Sequence, residues 1–330
     1  VEHLQDLALF VRIAQAQSLL EVARDTGLSP AAVSKQLARL EHALGVRLVK
    51  RSTRHLYLTP EGSDFATHCR VILDELEKAR EAVQRGGELA GELRVTASLP
   101  FSRRHLAPLL AEFGLRYPRL RIHLTSTDAL VSLVQGGYDL AIRQAALVDS
   151  TLAARMLVPD RRVPCASPGY VRNHGLPANP QALTGHRCIL PGDPPISLWR
   201  FQPRVGGEPV AVNVGSSAFQ TNDGEVAHAA TLAGAGIALK SIWDVAEDLA
   251  AGRLVDVLPK FTSPTAPIQA VYVPGPRPLS GRLRALIDFL AERLAASPVL
   301  DWMDEGRRAP VLAQEPVHAP GVANVQGRSL

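Results

Sequence analysis

Ser18-Leu19-Leu20-Glu21-Val22-Ala23-Arg24-Asp25-Thr26-Gly27-Leu28-Ser29-Pro30-Ala31-Ala32-Val33-Ser34-Lys35-Gln36-Leu37-Ala38-Arg39-Leu40-Glu41-His42-Ala43-Leu44-Gly45 reads as two short helices with a tight corner between them. Ser18 and Glu21 have capping-box spacing, which opens a helix that runs to Asp25. Gly27 closes it, because the residue past a helix C-terminus commonly needs a left-handed backbone. Ser29-Pro30 then supplies a cap and a first-turn proline, and Val33, Leu37, Leu40 and Leu44 fall on one face of the next helix before Gly45 stops it. In a helix-turn-helix the second helix lies in the DNA major groove and its outward N-terminal side chains meet base edges. Setting aside the apolar face leaves Pro30, Ala31, Ser34, Lys35 and Arg39 as candidates, with Ser29 at the cap. A lysine such as Lys35 donates to a guanine edge, Ser34 to bases or phosphate, and Ala31 meets a thymine methyl.

Working outward, Leu4 to Gln17 forms a helix with two apolar strips, Leu4, Leu7, Ala8, Val11 and Ala14 on one and Phe10 and Ile13 on the other. Leu48 to Lys50 and His55 to Leu58 pair as a small hairpin, the wing. Its Lys50, Arg51, Thr53 and Arg54 suit phosphate or minor-groove contact, which positions a protein more than it specifies sequence. The bland alternative for each cation is a solvated surface charge. Residues 1–60 carry 8 Lys/Arg against 5 Asp/Glu, and residues 61–92 carry 4 against 8, so a basic head precedes an acidic segment. Thr59-Pro60 opens a long helix to about Arg85, along which Phe65, Cys69, Ile72, Leu76, Ala79 and Val83 recur as a heptad seam. Such a seam calls for a partner helix from a second subunit, the alternative being the chain's own first helix. Gly86, Gly87 and Gly91 form a joint, so the expected organisation is a head over 1–60, a linker helix over 61–86 and a hinge over 87–92.

From Leu93 short strands alternate with helices, which implies a layered α/β architecture with parallel pairing. The expected unit spans 93–300, as one subdomain over about 93–162 and 268–300 and a second over about 163–267, before a disordered tail over 301–330. At 330 residues, 46% hydrophobic and 21% charged, the chain is long enough for several cores and is neither disordered nor collagenous. Its apolar runs are short of the roughly 20 residues of a membrane span. The first residues show no basic segment followed by an apolar core, so a cytoplasmic protein is expected. Cys69, Cys165 and Cys188 lack metal-knuckle spacing and read as reduced, buried thiols. The net charge of +4 permits a polyanionic partner.

Val22-Ala23-Arg24, Leu28 to Leu37, Leu44-Gly45-Val46-Arg47-Leu48, Arg51-Ser52-Thr53-Arg54 and Leu58-Thr59-Pro60-Glu61-Gly62 resemble the N-terminal region of LysR-type transcriptional regulators. Gly91 to Val95, Arg104 to Leu110, Tyr138 to Arg143, Cys165 to Tyr170, Trp199-Arg200-Phe201, Asn222 to Glu225 and Ala233 to Leu239 are similar to that family's effector domain. The resemblance covers about residues 4–297. It implies a winged helix-turn-helix head, a linker-helix dimer that assembles as a dimer of dimers, and two periplasmic-binding-protein-like α/β subdomains with an effector cleft between them. Promoter DNA and a small-molecule effector are the implied partners, RNA polymerase is a further one left open, and no cofactor, metal or membrane is expected. The chain departs from the family pattern at Lys240-Ser241, where an apolar residue and a proline are usual, and at Glu21, where a small residue is usual.

Ligand sites of such sheets lie beyond the strand C-termini. Those ends are Ser98, Pro100 and Phe101, Ser126 and Asp128, Arg143, Ser167, Thr221 and Asn222, and Lys240. Arg143 and Lys240 end strands in different subdomains, so two cations facing one cavity would favour an anionic effector. The alternative ties Arg143 to Asp128 or Asp139 and turns Lys240 to solvent. No G-x-S-x-G, H-E-x-x-H, P-loop or G-x-G-x-x-G motif is present and the ten histidines are scattered, so no catalytic residue is expected. The competing readings are a solute-binding protein or an enzymatic α/β protein with a DNA-binding appendage. The first would need an export signal and no basic head.

Overall fold

In the computed structural model, residues 4–16, 18–51, 56–83, 89–144, 152–215, 219–263, 267–274 and 279–303 are described. The head consists of α1 (Leu4–Gln15), α2 (Leu19–Thr26), α3 (Pro30–Leu44), the antiparallel hairpin β1 (Val49–Arg51) and β2 (Leu56–Leu58), and the long α4 (Pro60–Val83). The punctuation seen in the sequence is physical. Ser18 Oγ accepts from Glu21 N at 3.3 Å, Ser29 Oγ accepts from Ala32 N at 3.2 Å, and Gly27 and Gly45 take φ of 71° and 70°. Phe10, Ile13, Val22, Val33, Leu37 and Leu48 close the core.

The apolar surface of α1 is shared among α2, α3 and α4. The Phe65 ring lies 5.3 Å from that of Phe10, and Cys69 is fully buried in the same core. This corrects the seam expectation for Phe65 and Cys69, which spend their apolar surface on their own first helix. Farther along α4, Ile72 is 47% exposed and Leu76 is half-buried, while the side chains of Ala79 and Val83 fall outside the described residues. At its start, a Cβ on Gly62 would collide with the Leu48 carbonyl oxygen, so α4 crosses the wing at a distance only glycine permits.

Two mixed sheets follow. The first lobe contains β3 (Gly91–Ala97), α5 (Leu99–Phe101) continuing through a wide turn over Ser102–Leu106 into α6 (Ala107–Arg116), β4 (Leu120–Ser126), α7 (Leu133–Gly136), β5 (Leu140–Arg143) and β6 (Ala153–Val158). The second contains β7 (Arg162–Ala166), α8 (Pro168–His174), β8 (Cys188–Pro191), β9 (Leu198–Pro203), β10 (Val210–Asn213), β11 (Phe219–Thr221), α9 (Gly224–Leu232), β12 (Ile237–Ser241), α10 (Ile242–Ala250), β13 (Val255–Asp256) and β14 (Phe261–Thr262). The chain then returns to the first lobe with β15 (Ile268–Tyr272) and α11 (Gly281–Ala295). The first sheet runs β4-β3-β5-β15-β6, with β3 parallel to β4 and β5; the second runs β11-β8-β12-β7-β13. A small antiparallel sheet, β10-β9-β14, flanks the second. Between β4 and β5 the chain forms only the single turn of α7, which Ser132 caps and Gly137 ends.

The lobes are joined where Arg162 and Ser263 exchange backbone hydrogen bonds, which sets the two chain crossings side by side. They also share a core. Trp243 of α10 is 1% exposed and meets Phe101 edge-on at 6.1 Å and His105 at 5.2 Å.

Candidate functional site

On α3 the groove-facing set is built as a helix face should be. Val33 and Leu37 are at most 1% exposed, while Pro30, Ala31 and Lys35 face out and Ser34 is half-buried. Arg39 is held differently, its guanidinium forming an ion pair with Asp6 of α1 at 2.6 Å. It fastens α3 to α1 and presents only part of its fork outward. Lys50 is exposed on the wing; the side chain of Arg51 and all of Thr53 and Arg54 fall outside the described residues. Two residues to which the sequence reading gave no such role hold the wing in place. Glu41 Oε1 accepts from Leu48 N at 2.8 Å and Val49 N at 3.1 Å, and Thr59 Oγ1 donates to the Arg47 carbonyl at 2.8 Å.

A cavity of about 240 Å³ lies between the lobes. Of the expected ligand residues, Ser98, Pro100, Asp128, Asn222 and Lys240 line it, together with Gln144, Arg162, Pro191, Ile196, Ser241 and Asp244, which the strand-end rule did not single out. Asp128 joins the lobes, Oδ1 accepting from Leu99 N at 2.9 Å in the first and Oδ2 from Gly224 N at 2.6 Å in the second. Beside it, Arg104 and Arg103 form ion pairs with Glu225 of α9. On the cavity floor Gln144 Nε2 donates to Ser241 Oγ at 2.9 Å, and Ser241 donates to Asp160 Oδ1 at 2.8 Å. Burial pushes the Asp160 carboxyl up to about 7, against the pull of the Ser241 hydrogen bond and with a further upward push from Asp244.

The remaining expected ligand residues have other employment. Phe101 is 2% exposed and belongs to the shared core, because the helical turn that follows Ser98 rotates its ring toward Trp243. Arg143 is spent on the turn after β4, donating to the Thr127 carbonyl at 3.2 Å, the Ala129 carbonyl at 3.4 Å and Thr96 Oγ1 at 3.4 Å, and burial lowers its pKa. Lys240 is 8% exposed, paired with Asp244 at 3.1 Å and donating to the Gly224 carbonyl at 3.0 Å. The picture of two free cations facing each other is therefore corrected; of its alternative, Arg143 is tied down, by carbonyls and with the charge of Asp128 nearby, whereas Lys240 is buried rather than turned to solvent. Ser167 caps α8 by accepting from Tyr170 N, in a separate open depression of about 660 Å³ on the second lobe. Thr221 Oγ1 accepts from Asp223 N in its own turn, and Ser126 ends β4 outside the cavity lining.

The three cysteines are buried thiols, with burial raising Cys69 to about 11 and Cys188 to about 12 and pushing Cys165 up as well. Among the described residues no group of three or more His, Cys, Asp or Glu could hold a metal ion, and no helix is long and apolar enough to cross a membrane.

Comparison with known proteins places both halves. The family of bacterial regulatory helix-turn-helix proteins of the lysR type matches residues 4–63, and the LysR substrate binding domain matches residues 86–295. The chain is 36% identical over 301 residues to the HTH-type transcriptional regulator DmlR of Escherichia coli, covering 88% of this chain and 94% of that protein. The solved structure of CrgA, a LysR-type transcriptional regulator from Neisseria meningitidis, is 34% identical, with a TM-score of 0.56 over 88% of this chain and 98% of that one. A full-length OxyR variant from Pseudomonas aeruginosa, at 18% identity, shares the fold with a TM-score of 0.66 over 91% of this chain and 96% of that one.

Proposed function

Because the chain belongs to the LysR-type family of transcriptional regulators, we propose that its α3 reads a promoter sequence and that a small molecule bound between the two lobes controls how the head engages DNA. The coarse part is plain: it is a LysR-type regulator with a DNA-binding helix-turn-helix and a LysR-type substrate-binding domain. The finer reading rests on one observation, the cavity between lobes that a single carboxylate, Asp128, ties together through both of its oxygens. A ligand entering there competes with or reinforces that tie, and so acts differently on open and closed lobes, which is the requirement for shifting a conformational equilibrium. Lys35, Ser34, Ala31 and Pro30 are the proposed base-reading residues, with Lys50 and the wing on phosphates. The working species in this reading is a dimer built on the distal part of α4, in which Ile72 and Leu76 meet a partner helix, and the dimer pairs again on DNA.

The test is footprinting on the DNA flanking the coding region, with and without pools of candidate metabolites. A protected site whose extent changes with one pool supports the reading. Protection that no pool alters, with a variant blocked in the cavity by Ala238→Trp behaving identically, overturns the effector part while leaving the DNA reading intact.

A further inference from the structure

We infer that the occupant of the interlobe cavity is a small monocarboxylate whose oxygens sit on Arg162. The inference rests on the effector reading above and adds to it the chemistry of the ligand and the residue that selects it.

The cavity's charged groups differ in how far they are already satisfied. Lys240 is paired with Asp244 and a carbonyl, and both oxygens of Asp128 already accept backbone N–H groups. Arg162 stands apart. It lines the cavity half-buried, and its guanidinium makes no hydrogen bond or ion pair with any described residue. Its backbone is fixed on both sides, paired with Ser241 in β12 and with Ser263 at the crossing of the lobes, so the side chain emerges from a rigid point beside the Ser241 hydroxyl. Asp160 feels its charge, but that carboxyl is turned to Ser241. A guanidinium presents a planar fork that matches a carboxylate bidentately, and such charge-assisted pairs strengthen as water is excluded.

The size and the surrounding charge narrow the class. A volume of about 240 Å³ suits a small metabolite better than a nucleotide or peptide. The N-terminal amide of α9, an ordinary seat for phosphate, is already closed by Asp128. With Asp128 and Asp244 also at the wall, a dianion would be repelled where a monoanion is matched by one free cation. Pro191 and the half-exposed Ile196 give the body of the ligand an apolar wall.

The experiment is thermal shift and calorimetry on the full chain with acetate and butyrate, their isosteric amides acetamide and butyramide, and inorganic phosphate, each at tens of millimolar. Wild type, Arg162→Gln and Arg162→Lys are compared. The expected result is a rise of melting temperature with the carboxylates and none with the amides or phosphate. Butyrate exceeds acetate, Arg162→Gln loses the response with at least a tenfold weaker affinity, and Arg162→Lys keeps part of it. Without ligand, Arg162→Gln melts close to wild type, because no hydrogen bond or ion pair with a described residue is lost. Equal stabilisation by amides, stronger binding of phosphate than of acetate, a carboxylate response that survives Arg162→Gln, or no carboxylate response in wild type each overturns the inference. If the carboxylates bind at Arg162 yet leave the DNA footprint unchanged, the seat stands and the effector reading fails. If a pool of neutral metabolites changes the footprint, the effector reading stands and this inference fails.

Discussion

Lys35 and Arg39 sit about one helical turn apart on α3 and differ in what already holds them: Arg39 is bound to Asp6, and Lys35 extends from the exposed face. We expect Lys35→Ala to relax discrimination at one base position at a cost of about 1 to 3 kcal/mol, the range for one good base contact. Fluorescence anisotropy on the footprinted site and on a scrambled duplex reads this directly, and equal losses on both would place Lys35 on the phosphates instead. A second expectation concerns Asp160, whose carboxyl is raised from 3.8 to about 7 by burial. The folded chain then holds a proton that the unfolded chain has released, so this group lowers stability progressively as pH rises from about 4 to about 7 and by a constant amount above. Asp160→Asn should therefore melt higher than wild type at pH 8 and converge with it near pH 4; a gap independent of pH would assign the effect to packing. At this scale the strand-end rule found Ser98, Pro100, Asp128, Asn222 and Lys240, all at the ends of strands or in the turns that follow. Arg162 escaped it because it begins a strand at the lobe crossing. Arg143 and Lys240 were placed correctly along the chain, but which carbonyls and carboxylates take up a cation is decided by three-dimensional neighbours that spacing does not encode.

Helix α4 shows how one periodic signal serves two purposes. Its steps of three and four residues continue from Phe65 to Val83 in the sequence without a break, but Phe65 and Cys69 pack into the core with α1 while Ile72 is exposed. The sequence had both pieces in view, since the second apolar strip of α1 needed a cover. It had no means of saying where along the seam that cover ends. Leu76 is not part of the head's core cluster and is half-buried among the described residues. Placing a charge there by Leu76→Glu should bury an unpaired carboxylate against a partner helix and shift the oligomer toward monomer at micromolar concentration. Sedimentation velocity decides it, with an unchanged species pointing to packing within one chain. Other elements were illegible for local reasons. The helix α10 begins directly at the end of β12, so its apolar residues extend a strand-like run, and Ser241 Oγ accepting from Trp243 N is the cap that separates the two. The strand β6 carries two exposed residues, Arg155 and Met156, in succession and lacks clean alternation.

Over the whole molecule, the lobes meet through polar contacts at the cavity mouth and an apolar core around Trp243. Asp128→Ala should leave the amides of Leu99 and Gly224 without their acceptor. With hydrogen bonds to a charged group worth about 1.5 to 3 kcal/mol each, we expect a clear drop in melting temperature and a larger radius of gyration by small-angle scattering. A loss of stability with an unchanged radius would mean that the Trp243 core alone keeps the lobes together. The alternation of strands and helices announced two α/β lobes, whereas their shared core could not be read from the sequence, because it is made by residues more than a hundred positions apart. The head adds an asymmetry. Its polar ties run to the first lobe: Arg70 of α4 donates to the Val134 carbonyl at 2.7 Å, and Arg94 of β3 donates to Gln15 of α1 at 2.9 Å. In mechanical language, the proposed reading makes the first lobe a stator bolted to the DNA reader and the second a rotor whose axle is the Arg162–Ser263 crossing. On that reading a swing would displace the rotor's outer surface most, and paired subunits would sense it where their rotors touch.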